Sequence, residues 1–233
     1  MNTNQDIRSR TEWKIPPNYG WLEHKLNQKE IAYIWECIGE KNKEKCNIYL
    51  AGNINSSFPL YDKNEWFYKN TVVPLIDLYN ESFADYGANL AKIMHLTKKG
   101  EKMHLSLPYK MTSWWVNYQK ENEFNPIHGH SGVYSFVIWL KIPTEHEEQN
   151  DVRHGATNSP VKSTFSFVYN SIMGDIWTSA YELGKEYEGT MLFFPSPLKH
   201  EVYPFYNCKE ERISVSGNVC YSMAVQNKAE VVR

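Results

Sequence analysis

The sequence predicts an α+β fold in which a β-sandwich or barrel carries a layer of helices on one side. Segments with helical periodicity fall in the first hundred residues, and short apolar runs bounded by Gly, Pro and Asn follow after Gly100. Aromatic residues make up 15% of the 233 residues, which favours strands. We therefore expect one domain over residues 1–233, with residues 1–100 as a mainly helical support and residues 101–226 as the β-rich core.

The first helix is predicted over Gln28–Gly39. Asn27 stands directly before it and Glu30 follows three residues later, which is the pattern of a capping box at a helix start. Apolar side chains then recur at helical spacing. They are Ile31, Ile34, Trp35 and Ile38.

A second, longer helix is predicted over Val72–Met94. Pro74 suits the first turn of a helix, where its missing N–H costs nothing. The preceding segment, Tyr49–Asp62, has the composition of a loop. The expected apolar stripe of the second helix consists of Leu75, Leu78, Tyr79, Leu90 and Ile93.

The β-rich part is interrupted by the polar stretch Thr144–Ser163, the kind of long loop that covers a binding site. The segment Ile172–Thr178 is a further candidate strand. The strands proper are predicted within His104–Gln119, Gly132–Pro143, Ser163–Asn170, Gly189–Pro195, Lys199–Phe205 and Arg212–Val225.

Composition excludes several classes of protein. The net charge is −2 and no basic stripe is present, so no nucleic-acid footprint is expected. No apolar stretch of about 18 residues predicts a membrane span, and no signal peptide is visible. The four cysteines form no CxxC pair, which favours reduced thiols in a cytoplasm. Oligomeric state cannot be read from the sequence.

Two histidines, His128 and His130, lie two positions apart before a predicted strand. Side chains at i and i+2 of an extended backbone point the same way, so both imidazoles could reach one metal ion. His200, where a strand begins after a Pro-containing turn, is the candidate third ligand at a barrel mouth. The other histidines are interpreted as structural or solvated; they are His24, His95, His104, His146 and His154.

The strand that begins at Arg212 places Arg212 and Ser214 on one face, together with Ser216 and Asn218. This polar face could meet solvent, as in many antiparallel sheets. If it instead lines a barrel interior, the guanidinium is desolvated and needs an anion. A planar guanidinium suits a carboxylate.

The motifs HGHSG (128–132), FPSPLKH (194–200) and RISVSGN (212–218) together resemble those of the Fe(II)- and 2-oxoglutarate-dependent oxygenases. The resemblance is closest to the branch common in tailed phages and marine bacteria, and it extends over about Ser113–Tyr221. It implies a double-stranded β-helix, which is a jelly-roll barrel with the metal at its open end.

The resemblance also implies roles for named residues. His128, His130 and His200 would hold Fe(II), and 2-oxoglutarate would bind the metal and leave one position for O₂. Arg212 would pair with the distal carboxylate of 2-oxoglutarate, with Ser214 adding a hydrogen bond. Tyr118 or Asn117, in the preceding WVNY stretch, is a further candidate contact for the co-substrate.

Position 130 departs from the usual set of two histidines and one carboxylate. Three imidazoles also suit Zn(II), Cu(II) or Ni(II), so the identity of the metal stays open at this point. Glu123 and Glu201 are alternative carboxylate ligands, although Glu201 follows His200 directly and should point to the opposite face of its strand.

Two other functions compete with an oxygenase. A cupin-type protein could hold a metal with the same three histidines and use no 2-oxoglutarate, but it would not need Arg212 and Ser214. A non-enzymatic jelly-roll phage protein would need none of these residues. The substrate is not readable from the sequence: a peptide, a nucleotide or base, and a small metabolite all remain open. We expect a cytoplasmic location in a bacterial or phage-infected cell.

Overall fold

The computed structural model describes residues 7–12, 19–41, 44–47, 50–83, 86, 109–150 and 161–222. Within these ranges two antiparallel sheets face each other. The strands are β1 Leu22–Lys25, β2 Ser57–Pro59, β3 Tyr109–Gln119, β4 Asn125–His128, β5 Tyr134–Lys141, β6 Thr164–Asn170, β7 Ile176–Glu182, β8 Thr190–Pro195, β9 Lys199–Val202 and β10 Arg212–Tyr221. The helices are α1 Gln28–Gly39, α2 Val73–Ser82 and α3 His146–Asn150, with short 3₁₀ turns at Lys63–Glu65 and Lys185–Tyr187 and a π-helical turn at Tyr68–Val72.

The strand order is β1-β8-β5-β10-β3-β2 in the large sheet and β4-β9-β6-β7 in the small sheet. This pair of facing antiparallel sheets, with helices packed on one of them, is the predicted double-stranded β-helix in an α+β fold. In the described residues, no helix has the length and apolar character needed to cross a membrane.

The large sheet is buried on both faces. Its outer face packs against α1 and α2 through a cluster that includes Ile34, Leu75, Tyr79, Val116 and Phe193. Its inner face meets the small sheet through a second apolar cluster, which contains Val137, Trp139, Phe165, Phe167, Leu192 and Phe194. The two clusters fix the large sheet as the central layer.

The predicted first helix is confirmed with the same bounds. The Asn27 side chain accepts hydrogen bonds from the backbone N–H groups of Lys29 and Glu30, at 2.9 and 3.0 Å, and the Glu30 carboxylate accepts the Asn27 N–H at 2.8 Å. The capping box therefore satisfies the donors at the start of the helix.

The predicted second helix is confirmed only over Val73–Ser82, with Pro74 in its first turn. The prediction that Leu78 belongs to the apolar stripe is wrong, because 47% of its surface is exposed; Ile76 takes the buried position. Leu90 and Ile93 lie outside the described residues.

The first hundred residues contribute more than helices, because β1 pairs with β8 and β2 pairs with β3. The sequence prediction missed β1 and assigned the region of β2 to a loop. The candidate strand at Ile172–Thr178 is found, but it begins at Ile176. In the polar stretch Thr144–Ser163 the described part contains α3, and residues 151–160 lie outside the described ranges.

Candidate metal centre and inner chamber

Three histidines meet where the small sheet ends. His128 is the last residue of β4 and His200 lies in β9, and the two residues are directly opposite each other in the antiparallel ladder. His130 follows two residues later, and its backbone N–H donates to the Ser196 carbonyl at 2.8 Å. The ladder and this loop contact bring imidazoles from distant parts of the chain together.

The potential ligand atoms of His128, His130 and His200 all lie within 4.8 Å of one another. The Nε2 atoms of His130 and His200 are 3.2 Å apart. Two nitrogens bound at about 2.1 Å to one ion at a right angle would be about 3 Å apart. The observed spacing therefore fits a shared metal ion.

The other ring nitrogens of two of these residues are held by the backbone. His128 Nδ1 donates to the Pro126 carbonyl at 2.7 Å, and His200 Nδ1 donates to the Leu198 carbonyl at 2.9 Å. A carbonyl oxygen only accepts, so the hydrogen lies on Nδ1 and the Nε2 lone pair stays free. Such contacts fix the tautomer and the orientation of a metal-binding imidazole.

Burial keeps these imidazoles neutral. Burial lowers the pKa of His128, lowers that of His130 to about 4 and lowers that of His200 to about 3, with the His128 imidazole adding to the effect on the other two. The ring of His200 lies between Phe165 and Phe194, with ring centroids at 5.6 and 5.0 Å. Neutral imidazole is the form that binds a metal.

In the described part of the chain, no carboxylate joins this cluster. The Glu123 carboxylate accepts hydrogen bonds from the Asn55 N–H and side-chain amide and from the Lys120 N–H. Glu201 pairs with Ser166 in the ladder, one position from the pair that faces the metal site. The ligand set that this geometry offers is thus three imidazoles.

An inner chamber opens behind the histidines, between the two sheets. Its polar surface includes Asn117, Gln119, Ser214 and Ser216. The Asn117 side-chain oxygen accepts the Ser57 hydroxyl at 2.7 Å. The apolar part of the wall consists of Trp115, Phe136, Val137, Trp139, Phe165, Phe194 and Val202. The polar face of β10 therefore points into the barrel and not into solvent.

Arg212 is buried next to this chamber, with 1% of its surface exposed. Its Nη2 donates to the Ser163 hydroxyl at 2.6 Å and its Nη1 donates to the side-chain amide oxygen of Gln119 at 3.4 Å. The guanidinium lies 4.9 Å from the centre of the Phe205 ring. Nε has no hydrogen-bond partner, and no described carboxylate forms an ion pair with this cation.

Burial lowers the pKa of Arg212 to about 9, so the group stays positive at neutral pH. Arg212 is not itself part of the chamber wall, because Gln119 stands in front of it. A buried cation with only neutral partners favours an anion in this space.

The structure does not bring Tyr118 to the chamber, which corrects that prediction. Residues 117 and 118 are adjacent in β3, so their side chains point to opposite faces. Tyr118 packs on the outer face, where its ring is 6.0 Å from Phe58 and 5.4 Å from the Lys41 ammonium. Asn117 has the inward position.

Sequence reasoning missed Gln119, Ser163 and Phe205. Gln119 could have been found, since it lies two positions after Asn117 and so shares its face of β3. Ser163 and Phe205 come from connecting segments, and no local pattern marks them. Of the histidines set aside, His24 lies in β1 and His146 in α3, at 3.9 and 3.7 Å from Glu30 and Glu182; His95, His104 and His154 lie outside the described residues.

Residues 113–218 match the family described as "Putative 2OG-Fe(II) oxygenase". The matched segment contains the three clustered histidines and both Arg212 and Ser214. No curated protein matches the chain.

Several solved structures are similar in overall shape. A prolyl-4-hydroxylase from Pseudomonas putida is 14% identical, with 88% of this chain and 94% of that chain covered and a TM-score of 0.44. An oxidoreductase of the 2OG-Fe(II) oxygenase family from Burkholderia pseudomallei is 13% identical, with 86% and 85% covered and a TM-score of 0.45. HygX from Streptomyces hygroscopicus, with nickel, 2-oxoglutarate and hygromycin B bound, is 8% identical, with 96% and 88% covered and a TM-score of 0.48.

These TM-scores are too low for any residue of this chain to take a role from those structures. The family match rests instead on the segment that contains the clustered histidines. Within that segment, the imidazole cluster lies near a buried arginine whose hydrogen-bond partners are neutral. Residues 113–218, a little under half of the chain, are therefore similar to the 2OG-Fe(II) oxygenase family, and this segment contains the histidine cluster.

Proposed function

We propose that this protein hydroxylates a C–H bond of its substrate, with Fe(II) held by His128, His130 and His200. The single observation that carries the proposal is the convergence of three neutral imidazoles at the entrance of a chamber, next to which a buried guanidinium has only neutral hydrogen-bond partners. The reaction consumes substrate, O₂ and 2-oxoglutarate and gives hydroxylated substrate, succinate and CO₂. When bound, the iron supplies the O₂ activation that couples decarboxylation to hydroxylation.

The three histidines act as neutral ligands. Their carbonyl contacts aim the Nε2 lone pairs of His128 and His200 at one point before any metal arrives. Because all three ligands are uncharged, the metal keeps its full positive charge. A dianionic co-substrate compensates for that charge better than a neutral one.

Arg212 binds the distal carboxylate of 2-oxoglutarate, and Ser214 adds a hydrogen bond. The support is electrostatic, since the guanidinium is charged, almost fully buried and paired only with neutral groups. Gln119 stands between Arg212 and the chamber, so its amide must move aside or share the carboxylate. Asn117 faces the same chamber and is our candidate for an additional contact.

The walls of the chamber exclude water from the co-substrate. Trp139, Phe165 and Phe194 are each about 1% exposed and surround the space beside His200. In such surroundings a charge-assisted hydrogen bond is stronger than in water. The arginine–carboxylate contact is therefore expected to dominate co-substrate affinity.

The test is anaerobic titration of the Fe(II)-loaded protein with 2-oxoglutarate. We expect a weak visible charge-transfer band in the wild type, and its loss in Arg212→Ala with the iron content unchanged. Ser214→Ala is expected to weaken 2-oxoglutarate binding by about tenfold, the effect of one lost hydrogen bond. Lys141→Ala is the matched control, because it removes an exposed cation from the neighbouring strand β5.

A protein that binds iron but shows neither the band nor succinate formation would favour a second candidate. That candidate is a cupin-type metalloprotein without 2-oxoglutarate, and the observation that favours it is the absence of a carboxylate from the described histidine cluster. We also propose a cytoplasmic location, supported by the cysteine pattern, and an origin in the phage and marine bacterial branch, supported by the three motifs.

A further inference from the structure

The metal ligands separate two cavities of different character. His128 and His130 line both the inner chamber, about 50 Å³, and an outer groove of about 590 Å³. The inner space suits a small co-substrate, while the groove has the size of a substrate site. Leu50, Ala51 and Trp115 also line both cavities and so form the rim between them.

The described lining of the outer groove carries no charged side chain, and the Lys199 ammonium lies next to it beside Gly129. One wall is apolar, with Leu50, Pro59 and Leu60, and the other carries Thr112 and Asn218 with neighbouring serines. None of its lining residues in the described chain is Asp, Glu, Lys or Arg. A nucleic acid would bring phosphates that need such cations, so the lining favours a neutral ligand.

The groove follows the part of β3 that no strand of the described residues covers on this side. A further cavity continues it to Tyr68 and shares Leu60, Thr112, Ser113 and Trp114 with it. β2 covers β3 only at Trp115–Asn117, after which the Leu60 N–H donates to the Trp114 carbonyl at 2.8 Å. In the described residues, Lys110–Ser113 has no strand on this side. Unpaired backbone groups of a sheet edge match an extended polypeptide backbone.

A second surface stands on the opposite side of the same entrance. The register pairs Phe167 with His200, and β6 and β7 run about 10 Å beyond this level to the turn between Asn170 and Ile176. A shallow cavity that includes Ile127, Val168, Ile176 and Leu198 connects the turn with the neighbours of His128 and His200. The turn therefore lies beside the mouth of the barrel.

The tip of this β6–β7 hairpin is apolar and exposed. Ile172, Met173, Ile176 and Trp177 are 78%, 82%, 75% and 57% exposed. Scattered exposed apolar residues are ordinary, but four within six positions mark an interaction surface. A small metabolite bound at the metal could not also cover this tip.

We infer that the substrate is a polypeptide segment in an extended conformation, neutral around the reacting residue and flanked by apolar side chains. Its backbone lies along Lys110–Ser113 of β3 in the groove, and one flank covers the apolar hairpin tip. This inference rests on the proposed function, since the groove matters as a substrate site only if the metal centre is a hydroxylase. The reacting residue gains one oxygen atom as its C–H bond becomes C–OH, with O₂ and 2-oxoglutarate consumed as above.

The experiment selects binders from a randomised peptide library, with the Ni(II)-loaded protein in 2-oxoglutarate to prevent turnover. Enriched peptides are expected to carry apolar residues on a flank and to bind the wild type at least about tenfold more tightly than Leu60→Arg or Met173→Lys/Trp177→Lys. Leu78→Lys, on the outer face of α2, is the matched control and should bind like the wild type. Bound peptide should slow hydrogen exchange at residues 110–114 and 172–177.

Three outcomes would overturn the inference: no peptide enriched over background, equal binding by the groove and hairpin variants, or tight binding of a thymidine oligonucleotide or of phosphatidylcholine vesicles in place of peptides. Peptide binding is measured without turnover, whereas the charge-transfer band of the wild type tests the proposed function. A protein with the band but without peptide binding keeps its activity and loses this substrate class.

Discussion

The two sheets of this protein differ in how deeply they are buried and in which functional residues they carry. The large sheet is covered on both faces, and every residue of β8 in it is buried, while β7 of the small sheet is exposed along most of its length. The small sheet nevertheless carries His128 and His200, and the large sheet carries Arg212 and Ser214. The metal site therefore lies on the less buried sheet, and the anion site on the more buried one.

Because of this difference, we expect substitutions in the two sheets to affect different measured quantities. A change in the core of the large sheet should lower the free energy of unfolding. A change among the ligands on the small sheet should lower metal affinity with less effect on folding.

The largest effect is expected for Phe193→Ala in β8. Phe193 is fully buried between the sheet and the helices, where it packs 5.1 Å from the Tyr134 ring. Removing a buried phenylalanine costs about 3–5 kcal/mol. Denaturant unfolding should show this loss, and Ile176→Ala on the exposed β7 should change stability by less than about 0.5 kcal/mol. Equal losses in both variants would remove the contrast between the sheets.

Next in size is the effect of His200→Ala on metal affinity. Loss of one of three ligands should weaken Fe(II) or Zn(II) binding by at least about 100-fold, measured by competition with a chelator. His24→Ala, in β1 and outside the cluster, is the matched control and should leave the affinity unchanged. A His200→Ala protein that binds metal as tightly as the wild type would contradict the assignment of the site.

Acid should destabilise the metal-free protein through the same histidines. Unfolded imidazoles titrate near pH ~6.5, whereas the pKa values of His130 and His200 in the folded protein are about 4 and about 3. Between these limits the unfolded chain binds protons that the folded chain does not, so stability present above pH ~6.5 is lost as the pH falls. We expect Tm to drop by roughly 5 °C or more between pH 6.5 and 4.

The His200→Asn variant sharpens this measurement. It lacks one of the two most strongly shifted imidazoles, so its Tm should depend less on pH over the same interval. A variant with an unchanged slope would show that other groups control the acid response.

The smallest effect belongs to the helical layer. Asn27→Ala removes the side-chain cap of α1 and should lower the free energy of unfolding by about 1 kcal/mol. Asn27→Asp keeps an acceptor at this position and should retain most of the stability. If both variants lose the same amount, the cap contributes nothing beyond the capping residue's own packing.

Sequence reasoning succeeded where the determinants are local. The start of α1 is determined by Asn27 and Glu30, three residues apart, and the structure has that helix with the predicted bounds. β1 and β2 have four and three residues, and each is a strand only because a distant strand lies beside it. Such pairing leaves no signal in a short segment.

The site shows the same division. His128, His130 and His200 were predicted as a cluster from their motifs, and the structure places their ligand atoms together. Tyr118 and Asn117 could not be distinguished from the sequence, because the choice depends on which face of β3 meets the small sheet. The contacts of Arg212 with Ser163 and Phe205 depend on where two connecting segments pass.

The cross-strand pair of His128 and His200 has a mechanical consequence. β4 is a short edge strand of the small sheet, held to the rest through a broken ladder with β9. An ion bound by both imidazoles would hold β4 against β9 and would fix the position of the loop that carries His130. Metal-loaded protein should therefore resist proteolytic cleavage around residues 121–131, and a chelator should restore the cutting.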